Sequence, residues 1–170
     1  MLDPNERVQL FSLFAQDEIG LAPDRLHLTL GAKLEHHEFT GFEFQPSARL
    51  AWTPGERHAF WGAISRAVRT PSRAERDLRV FSDPRPALPP LPFAVVSPGR
   101  GNRDLVSEEM LAYEIGYRVQ MHSSLSLDAA VFYNDYDNLR SIASLPLELQ
   151  TAPGSPTTPY LVLPHTFGNQ

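Results

Sequence analysis

Hydrophobic and polar residues alternate with a period of two along several stretches of this chain. Near the start, for example, Leu28 and Leu30 are apolar, whereas His27, Thr29 and Gly31 are not. Successive side chains of an extended strand point to opposite faces, so each stretch predicts a strand with one apolar and one polar face. The pattern also permits a short helix over 73–79. The predicted strands are 8–19, 26–36, 44–52, 58–68, 110–119 and 124–136.

The connections between these strands alternate in length. The short ones are tight turns at 20–25, 53–57 and 120–124. The long ones are 37–43, 70–107 and 139–170. Two proline-rich runs, 83–92 and 152–159, lie in the long segments, and proline is excluded from helix interiors and central strands. An up-and-down sheet therefore places every short turn at one end and every long loop at the other, as in outer-membrane barrels, whose strands also have about this length.

The composition narrows the possibilities further. The chain has 170 residues, 42% of them hydrophobic, a formal net charge of -5 and no cysteine. The acidic balance argues against a general nucleic-acid binder, and the missing cysteines exclude a disulfide scaffold and Cys-ligated zinc. No apolar run reaches the roughly 18 residues of a membrane-spanning helix, whereas a spanning strand needs only about 10. No signal peptide is visible at the first residues.

Several runs resemble, in the same order, the barrel strands of TonB-dependent outer-membrane receptors. Among them are Gly31-Ala32-Lys33-Leu34-Glu35, Arg69-Thr70-Pro71, Gly101-Asn102-Arg103-Asp104-Leu105 and Tyr113-Glu114-Ile115-Gly116. Arg103 replaces the proline that is usual in the family. The resemblance covers about 8–139 and implies an all-β fold, an antiparallel up-and-down meander of about six long strands in a partial outer-membrane β-barrel. No plug domain, TonB box or terminal aromatic strand is visible, so we expect residues 1–170 to be an internal fragment of a barrel of about 22 strands.

The resemblance also implies a function in transport. A receptor of this family would take up a scarce nutrient such as a ferric siderophore, energised by TonB acting on the plug. The expected partners are outer-membrane lipid, a ferric chelate and TonB, with no nucleic acid. The expected location is the outer membrane of a Gram-negative bacterium. We expect neither a cofactor nor enzymatic activity, because no Gly-X-Ser-X-Gly or His-Glu-X-X-His motif occurs.

Two other functions stay open at this point. A passive or adhesive outer-membrane barrel would bind a surface partner with its long loops and would lack a plug. A soluble β-sandwich binding module would bury its apolar faces in a core and would not partition into detergent micelles.

Candidate substrate contacts lie where strands meet the long segments. His36 and His37 end the second predicted strand, and because neighbouring strand residues point apart, the two do not easily share one metal. The loop cations that can attract an anionic chelate are Arg69, Arg73, Arg76 and Arg79. We therefore predict His36, His37, Arg69, Arg73 and Arg76 as substrate contacts, with no catalytic residue and no metal site. The competing interpretation is a set of solvated loops.

Overall fold

The computed structural model describes residues 7–80, 94–152 and 155–170. The first four strands are β1 Leu10–Ala22, β2 Leu26–His37, β3 Gly41–Gly55 and β4 His58–Arg69. They are followed by α1 Arg73–Asp77, β5 Arg79–Val80, β6 Ala94–Val96 and β7 Gly99–Arg100. The remaining strands are β8 Glu108–His122, β9 Leu125–Asp137, β10 Arg140–Ser144, β11 Glu148–Ala152, β12 Ser155–Val162 and β13 His165–Asn169.

The long strands form one antiparallel sheet in the order β1-β2-β3-β4-β8-β9. Each strand pairs with the next long strand along the chain, which confirms the predicted all-β meander of six strands. The strands run from 12 to 15 residues, longer than the five or six that are usual in soluble sheets. This six-stranded sheet and its turns make up one compact unit, residues 8–70 and 107–137.

The register of the strands places the apolar side chains on one face of the sheet and the polar side chains on the other. Ile115 lies opposite Val131, and these side chains are 66% and 68% exposed. On the other face Arg118 lies opposite Asp128. Among the described residues the buried hydrophobic side chains are few, with Leu105 and Val162 the main ones besides Pro71. The apolar face of the sheet is therefore not covered by a second apolar layer among these residues, unlike the inner faces of a sandwich.

Three short turns, 23–25, 56–57 and 123–124, lie at one end of the sheet, which we call the turn end; the opposite end is the loop end. The expectation of a long connection between His37 and Glu43 was wrong. β2 and β3 are joined by only 38–40, and Gly41 follows with φ +79. A positive φ after a three-residue loop is what lets a hairpin close this tightly, and glycine adopts it without steric cost.

The second compact unit is made up mainly of residues 71–106 and 138–170, and we call it the loop unit. These segments were expected to be long loops, but they contain two small sheets, β10-β13-β7-β5 and β11-β12-β6, and the single helical turn α1. No helix in the described ranges is both long and apolar enough to cross a membrane. The proline-rich run 83–92 lies outside the described residues.

The second proline-rich run corrects the expectation that such a segment cannot belong to a central strand. β12 is the middle strand of its sheet and contains Pro156 and Pro159. Its partner β6 pairs only with 160–162, whereas Pro159 lies opposite Thr151 of β11. Among the described residues, Pro159 therefore lies in a part of β12 that pairs with β11 alone, where a missing N–H does not interrupt a two-sided ladder.

Candidate functional site

Aromatic rings collect on the apolar face at the turn end of the six-stranded sheet. The rings of Trp52 and Phe60 stack at 5.2 Å between centroids, and Phe60 stacks in turn on Tyr117 at 4.5 Å. The Tyr117 hydroxyl lies 2.8 Å from Nδ1 of His58. Such rings have an apolar body and, in Trp and Tyr, a polar tip, which is the chemistry found where a membrane meets water.

A second aromatic contact marks the loop end of the same face. The rings of His36 and Phe42 meet edge to face at 4.6 Å. Phe42 and Trp52 are ten residues apart on β3, about 33 Å along a strand at 3.3 Å per residue. A strand tilted by about 40° would project this length onto about 25 Å, the height of the apolar band of outer-membrane barrels.

The polar face at middle height carries small side chains and one tethered ring. Trp61 lies directly over Gly116, where any Cβ would fall inside the indole ring. The indole Nε1 donates a hydrogen bond of 3.3 Å to Oε1 of Glu114. Nearer the turn end, Nε of Arg118 donates to Oδ2 of Asp128 at 2.8 Å. On this face, the contact of Trp61 satisfies the carboxylate of Glu114, and Arg118 and Asp128 form an ion pair.

Polar groups are buried at the loop end of the sheet. The hydroxyl of Ser107 donates to Oε1 of Glu43, and both residues are nearly inaccessible, at 5% and 8% exposed. Arg66 donates to Oε2 of Glu109 from Nε at 3.0 Å and also to the carbonyl oxygen of Phe44. Because buried polar groups are costly unless they are hydrogen-bonded, these contacts stabilise the strand ends.

In the loop unit, the run that begins at Gly101 connects three pieces of chain. The backbone N–H of Asn102 donates to the carbonyl of Glu75 on α1 at 2.9 Å, and its side-chain Nδ2 donates to the carbonyl of Phe167 on β13 at 2.9 Å. Its Oδ1 accepts from the N–H of Asp104 at 2.9 Å. Gly101 comes so close to the backbone of Arg76 that a Cβ would overlap it. The run from Gly101 to Leu105, which resembles a family motif, therefore forms a structural junction in this chain.

A second asparagine, Asn169, hydrogen-bonds to two segments of the same unit. The Nδ2 of Asn169 donates to the carbonyls of Asn138 at 2.6 Å and Val106 at 3.3 Å, and its Oδ1 accepts from the N–H of Val106 at 3.1 Å. Asn138 itself has φ 56, a conformation that asparagine tolerates better than most residues. The side chain of Asn169 thus connects residue 106, where one segment of the loop unit ends, to residue 138, where the other segment begins.

A buried ion pair joins α1 to β10. Glu75 is the third residue of α1 and forms a capping box with Ser72, the N-cap residue. Its Oε2 accepts from the N–H of Ser72 at 2.7 Å, and the Ser72 hydroxyl accepts from the N–H of Glu75 at 3.3 Å. Oε1 of Glu75 also contacts Nη1 of Arg140, whose side chain is 8% exposed. Burial raises the pKa of Glu75, but the hydrogen bonds from Ser72 and the charge and hydrogen bond of Arg140 outweigh it and lower this pKa to about 2.

The two predicted histidines lie on opposite faces of β2. His37 is 8% exposed, and its Nδ1 accepts a hydrogen bond of 3.2 Å from the N–H of Phe39, so in the neutral ring the proton is on Nε2. His36 contacts Phe42 on the apolar face. In the described ranges no group of three or more His, Cys, Asp or Glu residues is placed to hold a metal ion.

The three predicted arginines divide between the two units. Arg69 is at the end of β4, and its Nη1 lies 2.8 Å from Oε2 of Glu108. Arg73 and Arg76 belong to α1, and both make non-covalent contacts. The sequence interpretation overlooked Glu75, although the Ser-X-X-Glu spacing from Ser72 is a readable capping-box signal.

A groove of about 610 Å³ lies at the turn end of the sheet. Residues of two turns, 23–25 and 56–57, and of the neighbouring strand ends line it, among them Asp24, Arg25, Arg57, His58 and Arg118. Its lining carries both signs of charge, and no part of the sequence interpretation pointed to it.

Comparison with known proteins assigns these features to a family. The family model described as "TonB dependent receptor-like, beta-barrel" matches residues 1–157. The chain belongs to the TonB-dependent receptor family. This confirms the resemblance on which the sequence interpretation depended, and the six-stranded sheet is accordingly a part of a receptor β-barrel.

Relatives and solved structures agree with this assignment. The chain is 30% identical over 132 residues to the ferric enterobactin receptor of Pseudomonas aeruginosa, covering 76% of this chain and 17% of that protein. It is 27% identical over 155 residues to the ferric enterobactin receptor PirA of the same organism, covering 89% and 20%. The crystal structure of a mutant of the P. aeruginosa ferric enterobactin receptor PfeA matches with TM-score 0.70 and 25% identity over 94% of this chain and 22% of that one.

A more distant structure shows the fold alone. The siderophore receptor PirA from Acinetobacter baumannii matches with TM-score 0.73 at 17% identity, covering 95% of this chain and 23% of that one. The chain thus spans about a fifth of the length of the curated relatives that it matches.

Proposed function

We propose that this chain supplies barrel strands and ligand-facing loops to an outer-membrane receptor that takes up a ferric siderophore. The observation that supports this most directly is the six-stranded sheet with an uncovered apolar face, bounded at its two ends by the aromatic contacts of Trp52 and Phe42. A face of this kind is stable in contact with lipid and unfavourable in water. The family match supports the same conclusion.

In the proposed orientation the apolar face contacts lipid and the polar face lines the barrel interior. The turn end then faces the periplasm and the loop end faces the exterior, because outer-membrane barrels have short periplasmic turns and longer external loops. In this orientation Arg118 and Asp128 are interior residues, and the two segments of the loop unit follow β4 and β9 along the chain at the loop end. Residues 10–22 and 125–137 are the first and last strands of the sheet, and in a barrel their free edges pair with further strands.

The proposed substrate class is a ferric chelate, because the relatives of this chain are ferric enterobactin receptors. Import is proposed to be energised by TonB acting on a plug domain, as is general in the family. The proposed substrate contacts are Arg73 and Arg76 in the loop unit, and Arg69 and His37 at the loop end of the sheet. His36 lies on the face that contacts lipid in this orientation, so it stays a sequence-based prediction only. Since the family is one of receptors and transporters, we assign no reaction to the chain.

The test is uptake of radiolabelled ferric enterobactin by a Gram-negative host whose own ferric siderophore receptors have been deleted. The receptor containing this sequence is expressed in the host with and without an intact TonB gene. We expect saturable uptake that requires both the receptor and TonB. Uptake that continues without TonB would indicate a passive barrel. Surface binding of other cells or proteins with no uptake of any ferric siderophore would indicate an adhesive barrel instead.

A further inference from the structure

Two arginines of the loop unit are held side by side by strand register. Arg79 on β5 lies directly opposite Arg100 on β7 in an antiparallel pair, and both side chains are exposed. Residues paired in this way point to the same face, with Cβ atoms about 4.5–5.5 Å apart. On the other side of β7, Thr166 of β13 lies opposite Arg100 in a parallel pair. Two guanidinium groups and one hydroxyl therefore project from neighbouring positions.

The register also shows which face carries this pair. Ala143 lies opposite Thr166, so it belongs to the same face as the two arginines. Arg140 and Asn169 lie opposite each other on the alternate face, and they make the buried contacts with Glu75 and with the backbone. The two arginines thus project away from the polar contacts that hold the loop unit together. Their neighbours on this face of the same sheet, Thr166 and Ala143, have small side chains.

Among the described residues, no carboxylate balances the charge of this pair. Like charges at directly opposite positions of a sheet destabilise it. In the part of the chain that the structure describes, no Asp or Glu forms an ion pair with either Arg79 or Arg100. By contrast, Arg103 of the same unit lies 2.6 Å from Asp77. An external anion would remove this repulsion.

We propose that Arg79 and Arg100, with Thr166, form an anion-binding site for an anionic ferric chelate. This inference rests on the proposed function of ferric-siderophore uptake. The planar guanidinium offers paired N–H donors to anionic oxygens, and two such groups at adjacent positions match a ligand with several charged oxygens, as in a ferric tris-catecholate. Exposed clustered charge also attracts such a ligand from solution. Arg100 was not among the residues that the sequence pattern indicated.

The experiment measures binding of ferric enterobactin to the full receptor in detergent free of lipopolysaccharide. The variants are Arg79→Gln, Arg100→Gln and the double variant, and the matched control is Arg57→Gln, which removes an exposed arginine from a turn of the six-stranded sheet. Each single substitution should weaken binding about tenfold, the order expected for one lost charge-assisted contact. The double variant should bind more weakly still and with a smaller dependence on salt, while the control binds as wild type does.

Two further readouts separate this site from a structural role and from a lipid site. Because each substitution removes repulsion, the thermal stability of the loop unit should stay the same or rise, and a clear fall would contradict the proposal. Wild-type affinity in the double variant would overturn the site and leave the proposed function intact. No binding or uptake of any ferric siderophore by wild type would overturn both. An effect of the substitutions seen only in vesicles containing lipopolysaccharide would assign the pair to lipid phosphate and overturn the assignment to a chelate.

Discussion

In the six-stranded sheet, β4 and β8 pair without a break from His58 opposite Val119 to Arg69 opposite Glu108. In the loop unit, β5 and β7 pair over two residues, and the pieces are joined by side chains such as Asn102 and Asn169. The sheet thus gains its stability from many similar backbone hydrogen bonds. The loop unit gains it from a few polar contacts, each of which is specific to its residue.

The ion pairs of the two units differ in the same way. Arg118 and Asp128 of the sheet have side chains that are 64% and 44% exposed. Glu75 and Arg140 of the loop unit are 14% and 8% exposed. An exposed pair contributes little because water already solvates both charges, whereas breaking a buried pair leaves a charge without a partner. We therefore expect similar substitutions to have unequal effects in the two units.

The largest effect is expected for Glu75→Gln. The substitution leaves Arg140 without its carboxylate, which should cost the loop unit about 3 kcal/mol, whereas the glutamine oxygen can still accept from the N–H of Ser72. Amide hydrogen exchange of residues 71–80, followed by mass spectrometry on the full receptor, should become faster by about 100-fold. The control is Glu56→Gln in a turn of the sheet, which should leave this exchange unchanged. Equal exchange in Glu75→Gln and wild type would show that the ion pair does not stabilise the unit.

The same carboxylate makes the loop unit sensitive to strong acid. The pKa of Glu75 falls from 4.5 to about 2 on folding. A lowered pKa stabilises the folded unit above the ordinary value, and this contribution is lost as the pH falls from about 4.5 to 2. Calorimetry of the wild-type loop unit should therefore show its stability falling across this range, and Glu75→Gln should show a flatter profile. A wild-type profile as flat as that of the variant would contradict the assignment.

An intermediate effect is expected for Gly101→Ala. The added Cβ would lie 2.6 Å from the backbone nitrogen of Asp77 and would also overlap the backbone of Arg76. Because backbone atoms cannot move aside as a side-chain end can, we expect a loss of about 2 kcal/mol. The matched control is Gly99→Ala, whose Cβ would meet the Cβ of Val80 at an ordinary 3.6 Å. Limited proteolysis of the loop unit should separate the two variants, and equal protection would exclude the close approach at Gly101.

The smallest effect is expected in the six-stranded sheet, for Arg118→Gln. Its exposed pair with Asp128 should contribute less than about 1 kcal/mol. Thermal unfolding of the purified receptor should shift only slightly, and Asp128→Asn should behave alike. A loss as large as that of Glu75→Gln would show that this pair is shielded from water in the assembled barrel, and the contrast between the two units would then disappear.

The sequence itself determined the main sheet. Alternation along 26–36 and 110–119 requires strands with an apolar and a polar face, and this property depends only on the period-two geometry of an extended chain. The same alternation places the aromatic residues Trp52 and Tyr117 on the apolar face near strand ends. Several runs in the family order, among them Gly101 to Leu105, together indicated the family, although the role of Asn102 was not apparent.

Only the tertiary structure decided the loop unit and its candidate site. Among the described residues, Pro159 pairs only with β11, so its missing N–H is tolerated in a strand, and Gly116 is needed because Trp61 lies over it. Arg79 and Arg100 are 21 positions apart in the sequence and become neighbours through the register of β5 and β7. Periodicity reports which face a residue occupies within its own strand. Pairing between short strands depends on contacts between distant segments, and no local pattern of hydrophobic and polar residues encodes it.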